Sequence, residues 1–138
     1  MITMPTSTVT RCSGAINLTD LVSPISGTTV GASNALQASC GGSGPEIVYY
    51  ITVPAGFALQ IGMTYNDYDS RHELLWGGDC PGENIVSCVD DPDTQTESWT
   101  NMEGSDQTVF FMIDVYRNRS GTFELAWSCS PGNVHIFK

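Results

Sequence analysis

Apolar and polar side chains alternate with a period of two along most of this chain, the signature of strands with one face in a core and the other in water. Residues 57 to 65, FALQIGMTY, set Phe57, Leu59, Ile61, Met63 and Tyr65 on one face against Ala58, Gln60, Gly62 and Thr64. Residues 121 to 129, GTFELAWSC, repeat the device, and the alternation of Trp127 with Phe123 and Leu125 predicts that it is buried. Residues 108 to 116, TVFFMIDVY, are apolar on both faces apart from Asp114 and read as a central strand. Further strands are expected at residues 15–18, 25–31, 46–53, 72–76, 84–89 and 97–102, divided by turn signals such as VPAG, WGGDCPGEN, DDPD and NRSG. Helical periodicity is nearly absent, and neither an internal repeat nor a linker is visible. About nine short, closely spaced strands predict an all-β chain, a two-sheet antiparallel β-sandwich of jelly-roll or immunoglobulin-like type.

Length and charge narrow the picture. The 138 residues suit one domain, and a formal net charge of −10 would repel phosphate backbones and anionic head groups. Neither nucleic acid nor membrane insertion is expected, since no apolar run reaches the length of a spanning helix. The opening MITMPTSTVT lacks the basic and apolar regions of a signal peptide and reads as a mature or engineered start. Five cysteines, Cys12, Cys40, Cys80, Cys88 and Cys129, form no C-x-x-C pair, so disulfides in an oxidising compartment explain them better than zinc. Sequons at Asn17 (NLT) and Asn118 (NRS) fit a secreted glycoprotein.

Residues 40 to 54, CGGSGPEIVYYITVP, resemble a signature of the bacterial pre-peptidase C-terminal (PPC-like) β-sandwich family. In order along the chain, YDS at 68–70, GGDC at 77–80, SCVDD at 87–91, MEGSDQTVFFMIDVY and SGTFELAWS are similar to its later segments. Glu46-Ile47 departs from the family's usual Asp-Val, and YDSRHELLWGGDC is one residue longer. The resemblance runs from Cys12 to Cys129 and implies a sandwich domain over residues 12–129, an extended segment at 1–11 and a tail at 130–138. It also implies an extracellular, non-catalytic module. The family's loop bridge implies Cys80 with Cys88; by the same resemblance Cys12 pairs with Cys40, Cys12 with Cys129 being the alternative. Cys129 is then either a buried thiol or an intermolecular staple.

Chemistry is sparse. The histidines are His72 and His135, and GGSG at 41–44 lacks the spacing of a nucleophile elbow. The acids Asp67, Asp69, Asp90, Asp91 and Asp93 are candidate calcium ligands, although DDPDTQTE fails the EF-hand rule, with Thr96 at its glycine position and Met102 at its glutamate position. Solvated loops and Asx turns are the plainer reading of them. Trp76 and Trp99 are candidates for stacking on a sugar, with Tyr65, Tyr68 and Tyr116 behind them. The stretches TSTVT and NVHIF at the two ends could pair with an open sheet edge. The expected function is therefore non-enzymatic: a secreted structural or adhesive module that self-assembles by strand addition. The alternative is a binding module for polysaccharide or another extracellular polymer, assisted by calcium.

Overall fold

The computed structural model describes residue 12, residues 14–117 and residues 119–132. In chain order the strands are β1 (Ile16–Asn17), β2 (Ile25–Thr28), β3 (Ile47–Val53), β4 (Phe57–Asn66), β5 (Ser70–Trp76), β6 (Asn84–Val89), β7 (Glu97–Thr100), β8 (Gln107–Val115) and β9 (Thr122–Pro131). They form two sheets, β1-β3-β8-β5-β6 and β2-β9-β4-β7, with every neighbour antiparallel except the parallel pair β1 and β3. No helix among the described residues is long and apolar enough to cross a membrane. The strands fall where alternation placed them, and β9 runs two residues past Cys129.

Between the sheets lies one core. Tyr49, Ile51 and Val53 of β3, Leu74 of β5 and Val109, Phe111 and Ile113 of β8 meet Leu59, Ile61 and Met63 of β4 and Phe123 and Leu125 of β9. Each such aliphatic or aromatic side chain contributes about 1.5–3 kcal/mol on burial. Trp127 is on the core side as its alternation required, but half-buried. Tyr65 breaks the pattern. A β-bulge between Met63 and Tyr65 places Tyr65 opposite Glu124, whose side chain alternates outward between Phe123 and Leu125, so Tyr65 leaves the core face and is 54% exposed.

Why β8 carries no alternation follows from a third layer. The β2–β3 connection crosses the outer face of the first sheet and buries Leu36 and Ala38 against Val48, Phe110 and Met112. A connection that leaves the ladder must find partners for its amides. Here buried carboxylates supply them, two rising from the sheet and one at the entry to β3. Glu46 accepts from the amides of Ala35 and Leu36, Asp114 from that of Ala38, and Glu73 from the amide and hydroxyl of Ser39. Gly42 passes so close that a Cβ would sit 2.7 Å from the Asp114 carboxyl, and its φ of +101° is one that L side chains rarely adopt.

The cystines pin the same layer, and their pairing corrects the one that the resemblance implied. Cys12 is joined to Cys80 and Cys40 to Cys88. The expected bridge between Cys80 and Cys88 is not formed: Cys80 lies in the β5–β6 turn, whereas Cys88 sits four residues into β6, and each is bonded elsewhere. Cys80 instead folds back over the outer face toward Cys12, while Cys88 meets the crossing connection at Cys40. Cys129 is the free thiol among the described residues, half-buried against the core, and burial raises its pKa. The alternative bridge from Cys12 to Cys129 is therefore not formed either.

Candidate functional site

The β4–β5 turn and the β6–β7 connection meet at one end of the sandwich. Asp67, Tyr68 and Asp69 from the first, with Asp90, Asp91 and Asp93 from the second, line an open cleft of about 580 Å³. The structure thus gathers all five acids singled out in the sequence, but three are already engaged. Asp67 accepts from the Thr122 amide at 2.7 Å and its hydroxyl at 3.0 Å. Asp93 accepts from Asn66 Nδ2 at 3.0 Å and the Ser70 amide at 3.3 Å, and Asp90 pairs with Arg71 at 3.2 Å. Among the described residues no three His, Cys, Asp or Glu side chains converge well enough to hold a metal ion. The residues as placed do not fit a calcium shell; what they create is a strongly negative mouth.

A second polar cluster was not singled out in the sequence. Glu97, at the start of β7, reaches across the core margin to His72 of β5, with Oε2 3.1 Å from His72 Nε2, and accepts from Ser87 Oγ of β6 at 2.6 Å and Gln95 Nε2 at 3.0 Å. Burial pushes the Glu97 carboxyl up, yet the donors Ser87, His72 and Gln95 outweigh it and leave its pKa below the ordinary value. Ser, His and Glu together suggest a hydrolytic triad, but the carboxylate stands between the other two, so no ring nitrogen is placed to take the serine proton. The cluster joins the two sheets. Its signal was present in ESWT, where period two puts Glu97 on the same face as the core-side Trp99.

Trp76 and Trp99 stack on each other across the same margin, with ring centroids 5.0 Å apart and planes at 29°. Both are half-buried against the core, so each ring spends one face on the other. Of the remaining aromatic candidates, Tyr68 points its ring into the protein, where burial raises its pKa, and Tyr116 lies beneath the guanidinium of Arg71 at 4.9 Å. Tyr65 alone of these five stands more than half exposed. Asn17 is exposed, with its Oδ1 accepting from the Thr19 amide, whereas Asn118 lies outside the described residues.

No protein-family model matches the chain, and no curated protein matches it. Among solved structures it is similar to the pre-peptidase C-terminal domain of a collagenase from Bacillus anthracis, with 15% identity and a TM-score of 0.52 over 83% of this chain and 94% of that one. At that identity the likeness concerns the fold, and the chain has the fold of a pre-peptidase C-terminal domain. Its two disulfides belong to an oxidising compartment.

Proposed function

We propose that the chain is a non-enzymatic extracellular module that joins copies of itself, at a cell surface or in a filament, by adding residues 1–11 of one copy to the β6 edge of the next. The β6 edge carries this reading. Its six residues, NIVSCV, hold neither charge nor proline, and Ile85 and Val86 are 60% and 36% exposed. The other edges are shorter, with two residues in β1 and four each in β2 and β7. Such an edge offers unpaired amides and carbonyls to an incoming strand.

Charge selects the donor. Two β6 strands pairing antiparallel would bring Glu83 of one copy toward Asp90 of the other at both ends, adding repulsion to a net charge of −10. Residues 1–11 contain one charged side chain, Arg11, and the alternating stretch TSTVT; they lie outside the described residues. A head-to-tail contact of this kind does not close on itself and grows into chains. Light scattering on the intact protein should report oligomers, and on a protein lacking residues 1–11, or carrying Ile85→Lys, monomers. An intact chain that stays monomeric at millimolar concentration overturns the reading.

A further inference from the structure

The outer face of the second sheet differs in chemistry from the rest of this acidic molecule. In register across β7, β4 and β9, Ser98, Gln60 and Ser128 form one row, and Thr100, Ala58 and Ser130 the next. Glu124 is the one carboxylate that alternation places on the outer face of these three strands, in a chain with fifteen acids. Its hydroxyl and amide groups repeat at about 4.8 Å between strands and about 6.8 Å along them. Ser98, Gln60, Ser128 and the neighbouring Thr96 are exposed, and none bonds through its side chain to another described residue.

Along the seam of β4 and β9 the face sinks into a shallow trench of about 240 Å³. It is lined by Gln60, Gly62 and Thr64 of β4, by Thr96, and by Ala126, Trp127 and Ser128 of β9, with Gly62 and Ala126 directly paired. Gly62 is itself buried, because the Gln95 carbonyl oxygen and Thr96 Cα lie within 2.9 Å of where its Cβ would stand, so no side chain fits at this position. Just beyond Thr64, the bulge that turned Tyr65 out of the core sets its ring on this same face.

We infer that this trench binds a neutral polyhydroxylated polymer, a strand of polysaccharide lying along β4 and β9. Each element has its use. Gln60 offers both donor and acceptor, and Ser128, Ser98 and Thr96 offer hydroxyls to sugar hydroxyls. Tyr65 supplies a flat apolar ring for the C–H face of a sugar. A near-neutral surface on a chain of net charge −10 repels neither a neutral chain nor its hydration, whereas an acidic polymer would be excluded and a basic one would prefer the cleft. An apolar protein partner finds no anchor, since Tyr65 is the one large exposed apolar side chain on these strands. This site is independent of strand addition, which uses the opposite sheet.

Native electrophoresis through gels cast with hydroxyethylcellulose, galactomannan or dextran tests it, together with sedimentation on microcrystalline cellulose. Retention by at least one of these is expected, unchanged in 1 M NaCl because the partner is neutral. Tyr65→Ala, and the double substitution Gln60→Ala with Ser128→Ala, should each weaken binding about tenfold or more. Ser128→Arg, at an exposed position, should block the trench without touching the core. Asp91→Asn and Ile85→Lys, in the cleft and on the β6 edge, should bind as the parent does. No retention on any of the four, or retention abolished by Asp91→Asn or by salt while the trench variants still bind, overturns the inference. The Ile85→Lys arm also separates the two proposals, since it removes assembly and leaves sugar binding.

Discussion

Glu97 and Asp114 are both buried acids, and they respond to pH with opposite sign. Glu97 is held below its ordinary pKa, so the stability it adds is complete above the unfolded value and is lost as pH falls through the folded one. Asp114 is raised, chiefly by burial and against the opposing amides of Ala38 and Val115 and the charge of Arg71. What it adds is therefore present in acid and lost as pH rises. Glu97→Gln leaves one acceptor for three donors and should cost roughly 1–3 kcal/mol at pH 7, a gap that narrows toward about pH 3. Asp114→Asn, with one acceptor for two amides, should show a gap that widens over the same range. Urea titrations at several pH values check both, and parallel slopes for the two variants would contradict this assignment. In the sequence Asp114 stood out as the one polar residue in an apolar run, but its partner Ala38 lies 76 positions away and was not legible.

Strands were the legible elements, because a two-residue period survives whatever the tertiary context. Bulges were not. An extra residue leaves no mark in an alternating string, so Tyr65 read as core and Val86, skipped in the pairing of Leu74 with Ser87 and Leu75 with Ile85, read as an ordinary strand residue. The connection that covers the first sheet was equally hidden, since QASCGGSG has neither period nor bulk. Its fit is nonetheless strict. Gly42→Ala should cost roughly 1–3 kcal/mol in chemical denaturation, through its left-handed backbone and its contact with Asp114. Gly104→Ala, where a Cβ meets nothing within 4 Å, should stay within about 0.5 kcal/mol of the parent. Equal effects at the two glycines would remove the claim that the crossing is tightly held.

At the scale of the whole molecule, the Cys40–Cys88 cystine fastens the outer layer to the first sheet, the Cys12–Cys80 cystine ties the segment before β1 to the β5–β6 turn of the same sheet, and neither joins that sheet to the second. The resemblance pointed to the right four cysteines and to the fold, but a pairing depends on which loops fold back over which face, and spacing along the chain does not encode that. Closing loops of 48 and 68 residues, each bridge restricts the unfolded chain by about 4 kcal/mol. After reduction, the amides of residues 34–44 should exchange with solvent faster, while those of β4 and β9 keep their protection. Uniform loss of protection across both sheets would show instead that the layers fold as one unit.

The two bridges also interlace, since Cys40 lies inside the loop closed by Cys12 and Cys80, and Cys88 lies outside it. Tension applied at the chain ends would pass through sulfur from Cys12 to Cys80 and never reach the backbone between them. Among the described residues, strands β1 to β5 would ride along without lengthening, and only the stretch after Cys80 could be drawn out. A subunit hauled upon by its neighbours, at residues 1–11 and at β6, would thus carry the load across the Cys12–Cys80 bond and the short stretch from Cys80 into β6, leaving the rest of its chain slack.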